Sequence, residues 1–194
     1  MITPTDLLWA LIGLILTIGG TFLEASITNA PWHWGQEGVQ PLALGVSYQI
    51  GAMLLVACLG GRNAAVIAQI AYLLLGLTWL DVFTFGSGFD YVHRPSFGYL
   101  LGFVPAAWVT GTLAFRLPVR LEFLGFSCLS GLATVHLFGM GYLAIAHHFN
   151  WLNQPAPPLL QSLITFSLQL LPGQLVVVCA VTVLAFIFRN LMFY

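Results

Sequence analysis

Residues Leu7–Ile27 read LLWALIGLILTIGGTFLEASI, with Glu24 the one ionisable side chain among them. A helix of about 20 apolar residues is what crossing the hydrocarbon core of a bilayer requires, so this stretch is predicted to be the first membrane span. At 100° per residue, Ala10, Gly13, Thr17, Gly20 and Glu24 fall within roughly an 80° arc of that helix. Small side chains let helix backbones approach closely in lipid, where packing drives association. The stripe therefore predicts a tight helix contact, either with another helix of the same chain or, through Ala10, Gly13 and Thr17, with a separate membrane subunit. Met1 to Asp6 carries no basic run and no cleavage-site pattern, so the span is expected to be retained and not removed as a signal peptide.

The remaining apolar windows repeat the pattern. A second span is predicted near Leu42–Leu59, a tight turn at Gly60-Gly61-Arg62-Asn63, and a third span near Ala64–Leu80. A glycine-rich loop, Asp81–Pro95, separates these from a fourth span near Phe97–Phe115, in which Gly98, Gly102, Ala106 and Thr110 recur every four residues and again predict close packing. Arg116 and Arg120 flank Pro118 before a fifth span near Phe123–Ala146. After a loop, Leu159–Leu170 is expected to lie at the membrane surface or dip into the bundle. Leu175–Phe188 is the core of a sixth span, with a helix N-terminus and its free N–H groups at Pro172–Gln174. The expected fold is all-α, an integral membrane bundle of six transmembrane helices forming one domain over residues 1–194.

Composition narrows function by exclusion. The chain is 59 % apolar and 6 % charged, with five basic and six acidic residues, against roughly a quarter charged in soluble domains. All five basic residues are arginines, too few and too scattered to neutralise a run of phosphates, so nucleic acid is excluded as a partner. Without lysine there is no P-loop, and any ATP-driven role needs a partner protein. Cys58, Cys128 and Cys179 lie in apolar runs and predict no disulfide framework. No zinc-protease or serine-hydrolase motif is present, and neither a metal nor a cofactor is expected.

Arg62, Arg116, Arg120 and Arg189 fall on the side of the termini and Arg94 alone on the other, which predicts cytoplasmic termini. The outer loops then carry most of the polar chemistry. Arg94, just before Pro95, is a candidate for gripping a carboxylate in its fork of N–H donors. Gln49 and Gln174, near the outer ends of their spans, offer donor and acceptor together. His136 lies mid-span, where an ionisable group is either a packing residue or part of a site. Adjacent His147 and His148 would point about 100° apart on a helix and do not suit one metal.

Several motifs, in order, resemble the BioY family, the biotin-capturing S components of energy-coupling-factor (ECF) vitamin transporters. Val46-Ser47-Tyr48-Gln49 is similar to the family's P-I-T-L-Q element, Gly60-Gly61-Arg62 to its G-P-R turn, and Ile70–Leu77 (IAYLLLGL) to its Y-L-L-L-G run. Asp81-Val82-Phe83 stands where P-V-F is usual. The most specific segments are Pro95–Phe103 (PSFGYLLGF), similar to P-T-G-G-Y-L-L-G-F, and Leu171-Pro172-Gly173-Gln174, similar to L-P-G-D. Two positions depart from the pattern: Gln174 replaces the usual acid and Val177 the usual lysine, so a charged pair is absent.

The resemblance implies a vitamin-binding subunit of the cell membrane, working among membrane lipids with an ECF transmembrane coupling protein and a pair of ATPases, and no enzyme of its own. Biotin asks for hydrogen bonds to its ureido ring, an apolar wall, and a cation for its carboxylate. Gln174, Gln49 and Tyr99 are assigned to the polar edge, Arg94 to the carboxylate, and Trp79, Phe83 and Tyr48 to the wall. Asp81 is a further candidate for a ureido N–H, and His136 for ligand contact. Two other readings compete: a small membrane oxidoreductase subunit holding haem or quinone through His136, and a non-catalytic assembly factor binding through the first-helix stripe.

Overall fold

The computed structural model of the chain describes residues 2–153 and 157–192. Helix α1 (Pro4–Phe22) starts with a capping box: Thr3 accepts from the Asp6 N–H, Asp6 accepts from the Thr3 N–H at 2.8 Å, and Pro4 occupies the first turn. It ends at Leu23, where the chain becomes extended and enters an antiparallel hairpin, β1 (Glu24–Thr28) with β2 (Pro41–Ser47).

This hairpin corrects two predicted boundaries. The first span stops at Phe22 instead of reaching Ile27, and residues 42–47 are a strand and not the start of the second span. An apolar run of a few residues has the same hydropathy in either conformation. Here Pro41 at the strand edge and Gly45 at φ 66° favour the strand, and the latter sits in an irregularity that pairs Glu24 with Ser47 but Ser26 with Ala43.

The segment Gln49–Thr78 is two helices folded back on each other. Gln49 donates a hydrogen bond to the Tyr72 hydroxyl at 2.8 Å, whereas 23 residues of straight helix would separate them by about 35 Å. The reversal is at Gly61, whose φ of 79° and ψ of 178° belong to a region that only glycine adopts without strain. The predicted tight turn is thus present, and it yields α2 (49–60) and α3 (62–78). Next come α4 (Phe97–Arg116), α5 (Leu121–His148), the short α6 (Leu159–Leu163) and α7 (Leu171–Met192).

Helix α1 lies in the groove of the α2–α3 hairpin. A Cβ on Gly13 would sit 2.9 Å from both Ala68 and Val56. Thr17 accepts from Gln69 Nε2 at 3.1 Å, and Ala10 and Thr17 are buried. The docking role expected for Ala10, Gly13 and Thr17 is therefore corrected: the chain's own α2 and α3 occupy this face, and the exposed side of α1 is formed by Leu7, Leu8, Leu11 and Ile15. Small residues on α4 serve the same end. Gly98 abuts Tyr142, Gly102 abuts Val135, and Thr110 faces Gly131 of α5.

Residues 159–192 run almost continuously. A π-helical turn at Ile164–Leu168 joins α6 to α7, and the Gln174 N–H donates to Leu170 O at 3.0 Å. The open helix N-terminus expected at Pro172–Gln174 is consequently closed by the preceding turn. Two ends of the bundle can be told apart. Asp6, the Gly61 turn and Arg116 meet at one end, near Arg189, which bonds Ala114 O and stacks on Phe115. The hairpin, the 79–96 loop and the residues after α5 meet at the other, where Asn153 N–H donates to His93 O.

Candidate functional site

At the end away from Arg62 and Arg116, a cavity of about 300 Å³ opens between the hairpin, α2, α4 and the α6–α7 segment. That volume sits at the lower end of the ~300–1,000 Å³ typical of small-molecule pockets. Its wall is largely apolar, from Ile50, Phe85, Leu100, Phe103, Phe166 and Leu170, with Gln49, Tyr99, Gln174, Ser96, Thr84 and Thr165 as polar points.

The polar points are held from behind. Gln49 Nε2 donates to Tyr72, and the Tyr72 hydroxyl donates to Val82 O at 2.9 Å. The Tyr99 hydroxyl and Ser167 Oγ share a hydrogen bond of 2.7 Å, and its ring stands edge-on to His136 at 5.8 Å. His136 Nε2 lies 2.7 Å from Gln174 Oε1. Side-chain networks of this kind fix rotamers that would otherwise be free.

Phe83, 2 % exposed, is behind the wall and does not line it. It packs between Tyr72 and Tyr91, at 5.3 and 4.7 Å, and over Gly76, where a Cβ would fall 2.2 Å from its ring. Tyr91 does line the cavity; burial pushes its phenol pKa up. Arg94 follows the helical turn Phe89–His93, and its guanidinium lies 5.6 Å from the Tyr91 ring and 5.7 Å from Phe85. Both rings line the cavity, so this exposed cation sits at the rim.

Among the residues singled out in the sequence, the fold gathers Gln49, Tyr99 and Gln174 around one space, puts Arg94 at its edge, and connects His136 through Gln174. It does not bring Trp79, Asp81 or Tyr48 to the cavity: Trp79 is 78 % exposed beyond the end of α3, Asp81 is exposed, and Tyr48 is half exposed before α2. Sequence reasoning missed Thr165, Phe166 and the Tyr72 and Ser167 hydroxyls that support the polar points. The available signal was that Thr165, Phe166 and Ser167 interrupt the apolar run with polar and aromatic groups just before Pro172.

The sequence matches the BioY family over residues 3–193. The chain belongs to the BioY family. A relative from Lysinibacillus sphaericus, described as a probable biotin transporter BioY, is 40 % identical over 141 residues, covering 71 % of this chain and 63 % of that one. One from Cyanophora paradoxa, described as an uncharacterized 21.2 kDa protein in the psbX-ycf33 intergenic region, is 29 % identical over 194 residues, covering 96 % of this chain and 95 % of its own length. The crystal structure of the S-component for biotin from an ECF-type ABC transporter superposes with a TM-score of 0.64 at 22 % identity, covering 95 % of this chain and 88 % of that one. That likeness establishes the fold, a membrane helix bundle of the S-component type.

Proposed function

We propose that this chain is a biotin-uptake subunit of the cell membrane, spanning it several times and capturing biotin in the cavity between the hairpin, α2, α4 and α7. The observation that carries the reading is the cavity itself, in a BioY-family chain: two amides and a phenol converge on an apolar space with a single arginine at its rim. The amides of Gln49 and Gln174 and the Tyr99 hydroxyl match a ureido ring, the apolar wall matches a thiophane ring and its alkyl chain, and Arg94 matches the carboxylate.

Four arginines at one end support an orientation with the termini in the cytoplasm and the cavity toward the outside. Lacking a P-loop lysine, the chain hands translocation to an ECF coupling protein and its ATPase pair and performs no catalysis itself. A haem or quinone role is not favoured in a BioY-family chain whose cavity gathers two amides and a phenol. The test is titration calorimetry of the purified chain in nanodiscs with biotin. Saturable one-to-one binding is expected, with dethiobiotin weaker and thiamine inert. Absence of biotin heats at any concentration refutes the reading.

A further inference from the structure

Two amides face one cavity, and each is held by a group that does not line it. The Tyr72 hydroxyl has three neighbours: Val82 O at 2.9 Å, Thr21 Oγ1 at 3.2 Å and Gln49 Nε2 at 2.8 Å. Thr21 spends its own hydrogen on Thr17 O and has none to give Tyr72, and the phenol proton is committed to Val82 O. Only a lone pair remains for Gln49, whose NH₂ must therefore point at Tyr72 and whose Oε1 is the end left for the cavity.

Gln174 is held in the opposite sense. His136 is buried, and its Nδ1 has no partner among the described residues. A neutral imidazole has one proton to place. On Nδ1 it would be a buried N–H without an acceptor, an arrangement that folded proteins rarely tolerate; on Nε2 it is donated across 2.7 Å to Gln174 Oε1. The carbonyl of Gln174 is thereby turned toward His136, and its NH₂ is left for the cavity.

We propose that His136 is a positioning residue for specificity, locking Gln174 as a hydrogen-bond donor opposite the acceptor Gln49, so that the cavity selects a cyclic urea over a cyclic guanidine of the same shape. This rests on the biotin reading. A urea ring presents a carbonyl oxygen to Gln174 and an N–H to Gln49. In 2-iminobiotin at neutral pH the carbonyl is replaced by a protonated imine, which sets donor against donor at Gln174. A site that fixes the sense of a buried hydrogen bond discriminates strongly against the mismatched analogue.

The experiment is calorimetric titration at neutral pH of the full chain with biotin and with 2-iminobiotin, in the wild type and in His136→Leu, His136→Gln and Gln174→Glu. Wild type is expected to prefer biotin by about a hundredfold, His136→Leu to lose about tenfold of that ratio because the amide is free to turn, and His136→Gln, which restores a donor, to regain it. Gln174→Glu, with acceptors only, shifts the ratio toward 2-iminobiotin by about tenfold or more. A ratio unchanged in His136→Leu, with the variant folded by thermal unfolding, overturns the inference. Should that variant not fold, equal binding of the two ligands by wild type, or an unshifted ratio in Gln174→Glu, overturns it instead. Failure of wild type to bind biotin at all is a different result and sinks the functional reading itself.

Discussion

Gly139→Ala tests whether the polar edge of the cavity is set by helix packing. Gly139 of α5 faces the Tyr99 ring of α4; a Cβ there would lie 2.4 Å from Cδ1 and Cε1 and 2.5 Å from Cγ. Non-bonded carbons settle at about 3.5–4.0 Å, so the ring must retreat by about 1 Å. It has little room, with the Phe166 ring 6.1 Å away between centroids and its hydroxyl tied to Ser167 at 2.7 Å. Overpacking costs about 1–3 kcal/mol and the lost hydrogen bond about 0.5–1.5 kcal/mol, giving a destabilisation of about 2–4 kcal/mol. Because the displaced ring moves along the cavity wall, biotin affinity should also fall, by about tenfold or more. Thermal unfolding in detergent and calorimetric titration read the two effects. The decisive control is the Tyr99→Ala background, where the clash is gone and glycine to alanine inside a helix gains up to about 1 kcal/mol. The sign of the substitution should reverse there, a coupling of at least about 2 kcal/mol. A Gly139→Ala protein as stable as wild type, or a cost that persists without the Tyr99 ring, refutes the packing account.

Three further outcomes follow from the geometry. Arg94→Ala should weaken biotin binding by about 1.5–3 kcal/mol through the lost charged hydrogen bond, while leaving thermal stability nearly unchanged because the side chain is exposed; Trp79→Ala, outside the cavity, should leave affinity unaltered, and an unchanged dissociation constant for Arg94→Ala would remove that residue from the site. Gly61→Ala forces a side chain into a backbone region that costs about 1–3 kcal/mol and should lower the unfolding temperature with little change in affinity, since the α2–α3 turn lies at the opposite end of the bundle from the cavity.

Part of the candidate site was legible because it depends on chemistry that is scarce in this chain. With so few polar side chains in apolar spans, Gln49, Gln174, Tyr99 and Arg94 stood out, and three of them line one cavity while Arg94 stands at its rim. The partners that orient them were not legible. Tyr72 is 23 residues from Gln49, His136 38 from Gln174, and Ser167 68 from Tyr99; a hydroxyl or imidazole in an apolar run carries no mark of which distant amide it will meet. Trp79 and Tyr48 misled for the converse reason, since aromatic character says nothing about which way a residue at a helix end will face.

By itself, the sequence determined that the chain is a membrane helix bundle, that it reverses at Gly61, and which end carries the positive charge. These follow from local quantities: the length of apolar runs, glycine and proline at their ends, and the positions of five arginines. Tertiary structure alone decided that residues 24–47 form a hairpin, that the small face of α1 is filled by α2 and α3, and in which sense each cavity amide is held. Hydropathy is the same for a short strand and a short helix, a small-residue stripe fits any close neighbour, and an amide's orientation is set by hydrogen-bond partners that only folding brings within 3 Å.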